Sequence, residues 1–235
     1  PREMTPPEIS EHFNLDGLSI PVYRAPAVVL GSGAAGLRAA VELKRRGVEV
    51  IIVTRKLFWG TSAFSGSDKQ TLHTACTKHR GDDFTRMAQA LGSGGAMDAD
   101  VAYVEATGSI GAVAGLQYLG LPLPQDRYGA VLRYQTDHDE FGRATSCGPR
   151  TSRLMVKVLA EEAIRLGIPL LDHCTAMSLL KNGSGAAEKT AGLLVLNRNN
   201  HDNPYGLSVI LSPNVILASG GPGELFRDSV YPKNC

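Results

Sequence analysis

The sequence predicts an α/β fold with a parallel central sheet, and two observations carry this prediction. An apolar segment, residues 28–30, runs directly into a glycine-rich turn, residues 31–36, and then into an amphipathic helical pattern over residues 35–46. A second apolar segment, residues 49–54, follows this helix. A strand, a glycine turn, a helix and a second strand in this order form the βαβ unit that binds the pyrophosphate of a dinucleotide.

The three glycines of the turn have different predicted roles. Gly31 makes the tight turn, Gly33 lets the backbone approach the phosphates, and Gly36 lets the helix pack close to the strand. The free N–H groups at the positive end of the helix then face the anion. Three glycines alone are a weak signal, but the flanking strand and helix patterns favour a dinucleotide site over a plain turn.

The remaining pattern extends the α/β prediction. Residues 1–25 are rich in proline and polar groups and are predicted to form an irregular N-terminal arm, with the domain proper over residues 26–235. Helices are predicted over residues 84–91, 98–119 and 151–166. Strands that include an additional β-hairpin or meander are predicted over residues 168–171, 175–180, 191–196, 208–211 and 214–219.

Charge and composition exclude several classes of partner. The 235 residues carry 24 basic and 23 acidic side chains, so the net charge of +1 gives no basis for nucleic-acid binding. No segment approaches the roughly 20 apolar residues of a transmembrane helix. The four cysteines are far apart, form no CxxC pair and predict no metal site; they are Cys76, Cys147, Cys174 and Cys235. We therefore expect a cytoplasmic protein with reduced thiols.

Three separated motifs together resemble one protein family. They cover residues 31–36, residues 60–66 and residues 215–223. In this order they resemble the FAD-binding part of the succinate dehydrogenase, fumarate reductase and L-aspartate oxidase flavoprotein superfamily, over nearly all of residues 25–235. The resemblance implies a Rossmann-like FAD-binding domain, with FAD as the cofactor.

The resemblance also implies which residues contact FAD. In this family the second motif lies against the isoalloxazine ring and the pyrophosphate, the third lines the cofactor from the end of a strand, and a further strand places its backbone against adenine. The implied cofactor-binding residues are Gly31, Gly33, Ala34, Ala35, Gly36, Thr54, Arg55, Lys56, Thr61, Ser62, Ala63, Ser65, Gly66, Thr175, Ala176, Ala218, Ser219 and Gly220.

Two departures from familiar patterns refine the cofactor prediction. Many dinucleotide folds place an acidic residue on the ribose after the second strand, where this chain has Thr54, Arg55 and Lys56. This weakens NAD as the ligand. Complex-bound members of the family attach FAD through a histidine in the second motif, and residues 58–66 contain none. We therefore expect noncovalent FAD.

A third departure concerns the capping domain, which in this family follows the third motif and carries the groups that grip the substrate. The chain ends shortly after that motif, so the capping domain is absent from this sequence. We expect a second polypeptide or a C-terminal continuation to supply it, because a flavin site needs a closed cavity between two domains.

Catalytic candidates within the chain are few. Arg150 lies with Arg143 just before a predicted helix, a setting suited to a carboxylate or phosphate, although Thr151 or Ser152 capping that helix is the simpler interpretation. Asp68 follows the flavin loop and is a proton-handling candidate by position, with a surface loop residue as the alternative.

The resulting functional prediction is an FAD-dependent oxidoreductase subunit or portion. It transfers a hydride between flavin N5 and a small-molecule substrate, for which a carboxylate-bearing compound is one candidate class. The alternatives are an NAD(P)-binding dehydrogenase domain and a noncatalytic nucleotide-binding subunit.

Overall fold

A computed structural model describes residues 3–66, 70–77, 80–137 and 139–231 of the chain. The chain divides into two compact units, unit 1 (residues 1–65 and 159–235) and unit 2 (residues 66–158). The strands are β1 (Glu11–Leu15), β2 (Leu18–Arg24), β3 (Ala27–Leu30), β4 (Val50–Val53), β5 (Leu72–His73), β6 (Ala144–Thr145), β7 (Leu170–Leu171), β8 (Cys174–Asn182), β9 (Lys189–Asn197), β10 (Leu207–Leu211) and β11 (Asn214–Leu217). The helices are α1 (Ala34–Arg45), α2 (Thr61–Phe64), α3 (Phe84–Gly92), α4 (Ala99–Tyr118) and α5 (Thr151–Arg165).

Unit 1 contains the predicted parallel sheet, which confirms the fold class. Its strand order is β11, β3, β4, β7, and all three pairings are parallel. Val28, Val29 and Ile52 in the two central strands are completely buried, as is usual for a parallel sheet covered on both faces. β4 lies on one side of β3 and β11 on the other, so the order of the strands reverses at β3.

Helix α1 packs closely on this sheet. Leu37, Ala40 and Val41 form its buried stripe. Gly47 follows the helix with a φ of 77°, a left-handed conformation that glycine adopts without steric cost. The last turn carries Arg45, whose guanidinium donates to Glu162 over 2.8 Å, and a cation there is favoured by the helix dipole.

A second sheet covers one side of the parallel sheet. Its order is β1, β2, β10, β9, β8, with only the β2–β10 pair parallel, and it includes the predicted meander. The two sheets share a core of Tyr23, Leu193 and Ile210 from this sheet with Val28 and Ile51 from the parallel one.

The prediction of an irregular N-terminal arm is wrong for residues 11–24. These residues form the antiparallel pair β1–β2, and β2 also pairs with β10. Pro21 lies inside β2, opposite His12, but the pairing with β10 begins only at Val22. Proline is tolerated where a strand has a partner on one side only, which explains why it does not interrupt β2.

Unit 2 is mainly helical. Asp83 caps α3 by accepting from the N–H of Arg86, and Asp98 caps α4 by accepting from two N–H groups of its first turn. Small residues of α4, among them Ala106, allow a close contact with Met87 of α3. Among the described residues, no helix combines the length and the apolar character needed to cross a membrane.

A buried ion pair lies among the loops of unit 2. The Nε and Nη2 of Arg143 donate to Oδ1 of Asp82 over 2.9 and 2.7 Å, and both side chains are almost fully buried. Thr77 donates its N–H and hydroxyl to Oδ2 of Asp82, each over 2.9 Å. Burial raises the pKa of Asp82, but these hydrogen bonds and the Arg143 charge outweigh it and lower the pKa.

Candidate functional site

A cavity of about 390 Å³ opens at the carboxyl ends of β3 and β4 in unit 1. This volume lies within the range of small-molecule sites, and ligands of α/β sheets bind where the strand order reverses. The cavity is lined by Leu30, Gly31, Ser32, Gly33, Ala34, Ala35, Thr54, Arg55, Lys56, Trp59, Gly60, Thr61, Ser62, Cys174, Thr175, Ala176, Ala218, Ser219 and Gly220.

Two of the three motif glycines are required by the chain itself. Gly31 has a φ of 111°, and a Cβ there would collide with the carbonyl oxygen of Ala218 at the end of β11. A Cβ on Gly36 would collide with the carbonyl oxygen of Gly31 and press on the Ala218 side chain. These glycines therefore hold α1, the turn and β11 in close contact.

Gly33 is different, because the protein leaves room beside it. It is the N-cap residue of α1, with extended backbone angles that any residue adopts. Among the described residues, a Cβ there would meet only the Ser62 side chain, with Oγ at 3.3 Å and Cβ at 3.9 Å. No side chain of the described residues caps this helix end. The first N–H groups of α1 are thus left for a ligand, and an anion is the partner that the helix dipole favours there.

A hydroxyl pair occupies the position where many dinucleotide folds have a carboxylate. Oγ of Ser32 and Oγ1 of Thr54 lie 2.9 Å apart, and both residues are buried. The described lining contains no acidic residue, whereas Arg55 and Lys56 are exposed beside Thr54. The cavity therefore matches the charge of a pyrophosphate and lacks the carboxylate that reads a ribose in NAD sites.

One polar group in the cavity lacks a partner inside the described chain. Oγ1 of Thr61, at the start of α2, is buried without a hydrogen bond to any described residue. Buried hydroxyls are nearly always hydrogen-bonded, so this group fits a site that a polar ligand completes. This observation, together with the open helix end at Gly33, shows that the residues present suit a dinucleotide cofactor.

The cavity brings together most of the residues implied by the three motifs. Of the implied residues, it includes Gly31 to Ala35 of the glycine turn, the segment Thr54 to Lys56, Thr61 and Ser62 of the second motif, the pair Thr175 and Ala176, and the segment Ala218 to Gly220 of the third motif. Within the described chain, the lining leaves out Gly36, Ala63, Ser65 and Gly66. Gly36 instead packs against Gly31, and Oγ of Ser65 donates to the carbonyl of Thr61 over 2.7 Å.

Sequence reasoning missed five lining residues: Leu30, Ser32, Trp59, Gly60 and Cys174. Four of them are direct neighbours of predicted residues, so adjacency in a turn or strand could have identified Leu30, Ser32, Gly60 and Cys174 as lining residues. Ser32 faces Thr54 only because β3 and β4 are paired, so the sequence carries no signal for that contact. Trp59 is the only tryptophan of the chain and lies between two predicted segments.

The catalytic candidates receive no support as a site. Asp68 lies outside the described residues. Arg150 is exposed, and its guanidinium makes no hydrogen bond or ion pair with a described residue. The guanidinium of Arg143 forms an ion pair with Asp82. Oγ1 of Thr151 accepts from the N–H of Cys147 over 2.9 Å and donates to the carbonyl of Gly148 over 2.6 Å, so this hydroxyl binds the preceding turn and does not cap the N–H groups of α5. Among the described residues, no three potential metal ligands lie together.

We expect Cys174 to be inert to thiol reagents although it lines the cavity. Burial, aided by Asp172, raises the pKa of this thiol to about 12, so roughly one molecule in ten thousand carries a thiolate at about pH 8. Iodoacetamide labelling followed by peptide mass mapping should modify the exposed Cys76 and spare Cys174. Equal labelling of both would contradict the buried position, and a Cys174→Ala variant provides the control.

Comparison with known proteins identifies the family. The family model described as FAD binding domain matches residues 27–235. L-aspartate oxidase of Streptomyces coelicolor is 28% identical over 234 residues, which cover 97% of this chain and 38% of the relative. The 8-methylmenaquinol:fumarate reductase flavoprotein subunit of Wolinella succinogenes is 24% identical over 203 residues, which cover 85% of this chain and 32% of the relative.

Solved structures show the same fold. The structure of Sdh1 from Mycobacterium smegmatis in complex with UQ1 aligns with a TM-score of 0.75 at 21% identity, covering 87% of this chain and 35% of that one. An open flavocytochrome c3 fumarate reductase aligns with a TM-score of 0.70 at 22% identity, covering 86% of this chain and 34% of that one. The chain therefore spans about a third of the length of the proteins it matches. It belongs to the FAD binding domain family, and its cofactor is FAD.

Proposed function

We propose that the chain is the FAD-holding portion of an oxidoreductase that transfers a hydride between flavin N5 and a small, carboxylate-bearing substrate. The observation that carries the proposal is the cavity at the N-terminal end of α1, where there is room beside Gly33 and where the buried hydroxyl of Thr61 has no partner in the described part of the chain. Relatives named L-aspartate oxidase and fumarate reductase support the substrate class.

Each part of the cavity has a proposed task. FAD supplies the hydride chemistry when it is bound. The N–H groups beside Gly33 and the cations Arg55 and Lys56 hold the pyrophosphate. The hydroxyl of Thr61 donates to an acceptor of the cofactor, while the backbone of Thr175 and Ala176 orients its adenine. The remaining residues of the proposed set, Gly36, Ala63, Ser65 and Gly66, shape the backbone around the site.

The carboxylate-binding groups and the proton donor are proposed to lie in a capping domain supplied by a continuation or a second polypeptide. Supporting this, the chain matches about a third of each relative's length. Strand β11 is also an edge of the parallel sheet, with Leu217 60% exposed and Val215 and Ile216 only partly covered. Apolar edge strands of parallel sheets are normally covered. Intact mass and gel analysis of the native protein test the proposal, and a fully active 25 kDa species alone would defeat it.

A flavin assay separates this function from its alternatives. The purified native protein should show the absorption bands of its flavin at about 370 and about 450 nm. Under anaerobic conditions, L-aspartate or succinate should bleach the bands, or fumarate should restore them after chemical reduction. A colourless protein that retains NAD would favour a dehydrogenase domain. Stable bands that no carboxylate substrate changes would favour a noncatalytic nucleotide-binding subunit.

We predict that the flavin is not covalently attached. Residues 58–66 contain no histidine, so the second motif offers no imidazole for a bond to the flavin ring. Precipitation of the native protein with acid should release the yellow colour into the supernatant. A pellet that stays yellow after washing would contradict the prediction.

A cytoplasmic location is part of the same proposal. In the described part of the chain, Cys76, Cys147 and Cys174 are free thiols, which suits a reducing compartment. Cell fractionation with an antibody to the protein tests the location.

A further inference from the structure

The lip of the cavity is formed by a tight turn, residues 56–60. The N–H of Trp59 donates to the carbonyl of Lys56 over 3.2 Å. Phe58 has a φ of 63° and Gly60 a φ of 101°. A positive φ is uncommon for a bulky aromatic residue and persists only where the surrounding structure enforces it. The two aromatic residues of the turn lie in different places. Trp59 lines the cavity, and Phe58 lines a separate groove that includes Tyr23 and Leu171.

Trp59 and Lys56 form a single pair at this lip. The ammonium of Lys56 lies 4.6 Å from the centroid of the indole ring, within the distance of a cation–π interaction. Lys56 makes no ion pair with any described residue, and the described lining of the cavity has no carboxylate that would compete for it. Trp59 is 38% exposed. The pair thus offers a ligand an aromatic surface together with an unneutralised positive charge.

The position of this pair indicates which half of the cofactor it would contact. Thr54 precedes Lys56 by two residues and directly follows β4, where dinucleotide folds place the adenosine ribose. Ser62 follows Trp59 by three residues, also lines the cavity, and has its Oγ 3.3 Å from the position of a Cβ on Gly33. The pair therefore borders the stretch of the cavity between the ribose and the pyrophosphate.

We propose that Trp59 and Lys56 recognise the ADP half of FAD, with the indole packing against the adenosine and the ammonium pairing with the pyrophosphate. The inference rests on the assignment of this cavity to FAD. It adds Trp59, which lies outside the three motifs, to the pyrophosphate role already proposed for Lys56. The strained turn at Phe58 holds this element in place before the cofactor arrives, which lowers the ordering cost of binding.

The test uses the native protein freed of its flavin, with ADP, FAD and FMN as probes. Trp59→Leu should weaken ADP and FAD binding by about tenfold or more, the range for loss of one aromatic stacking contact. Trp59→Phe should retain most of the affinity. Lys56→Met should weaken ADP binding and reduce its dependence on salt. Phe13→Leu is the matched control, because Phe13 is an exposed aromatic residue of β1 outside the cavity lining and outside the three motifs.

A spectroscopic readout is independent of affinity. The difference in emission between the parent and Trp59→Phe isolates the fluorescence of Trp59, and saturating ADP should quench this component. The inference would be overturned if Trp59→Leu bound ADP as tightly as the parent and if ADP did not quench Trp59 emission in the parent. The assignment of the cavity to FAD would remain. Weaker FAD binding with unchanged ADP binding would overturn the assignment to the ADP half. Failure of the parent to bind FAD would instead overturn the cavity assignment itself, and the inference with it.

Discussion

Gly33→Val is expected to weaken FAD binding by roughly a hundredfold or more, so that the purified protein loses its flavin while it stays folded. The variant's side chain would fill the space beside the first N–H groups of α1, and the pyrophosphate could no longer reach them. Losing two charge-assisted hydrogen bonds of this kind costs about 3 kcal/mol or more, which corresponds to roughly a hundredfold loss of affinity. Flavin retention by the native protein measures this effect, and thermal unfolding shows that the fold remains.

The neighbouring glycines provide the matched comparison. A Cβ at Gly33 meets only Ser62, whereas a Cβ at Gly36 collides with the backbone of Gly31. Gly36→Ala should therefore lower the melting temperature or prevent folding, with flavin loss as a secondary result. If Gly33→Val retained FAD as tightly as the parent, the glycine turn would not be the phosphate site. If Gly33→Val unfolded the protein, the space seen beside Gly33 would be wrong.

Breaking the buried Arg143–Asp82 pair should be the most destabilising change in unit 2. Asp82→Asn leaves the guanidinium of Arg143 buried without its main counter-charge, and removal of one partner from a buried pair costs about 3–5 kcal/mol. Urea unfolding followed by circular dichroism measures the change. The control is Glu11→Gln, because Glu11 pairs with Arg24 on the surface, where both side chains are about half exposed, and such pairs contribute about 1 kcal/mol or less. Equal effects of the two variants would contradict the structural role of the buried pair.

The Arg143–Asp82 pair also makes the free energy of unfolding depend on pH. The pKa of Asp82 is lower in the folded protein than in the unfolded chain, so its contribution to stability is fully present above the unfolded pKa of about 4. That contribution is lost as pH falls below this value and through the folded pKa, since the unfolded chain then binds the proton more readily. The free energy of unfolding should therefore fall more steeply below about pH 4 in the parent than in Asp82→Asn.

Local sequence patterns predicted most elements of unit 1, because the spacing of apolar residues and the positions of glycines determine helices and strands over only a few residues. Helix α1 differs from its prediction by one residue at each end, and strands β9 and β10 contain the predicted segments. The hairpin β1–β2 was missed because Pro21 normally disfavours a strand. Only the pairing shows that Pro21 precedes the stretch joined to β10.

For the site, the motifs predicted which segments meet but not how each residue takes part. Gly31, Gly33 and Gly36 look equivalent in the sequence. The packing role of Gly31 depends on the position of Ala218, nearly two hundred residues later, and the packing role of Gly36 depends on how α1 returns onto the carbonyl of Gly31. Likewise, Arg143 resembled a ligand-binding arginine until the fold paired it with Asp82, 61 residues away.

The order of strand, glycine turn, helix and strand was enough to determine the βαβ unit, because these preferences are local and the right-handed crossover leaves little choice of topology. The absence of an acidic residue after the second strand and of a histidine in the flavin loop are likewise properties of the chain alone. The tertiary structure decided the contacts between distant segments: the Ser32–Thr54 hydroxyl pair, the unpartnered hydroxyl of Thr61 and the Trp59–Lys56 lip. Such contacts depend on how whole elements pack, and no short-range pattern encodes that packing.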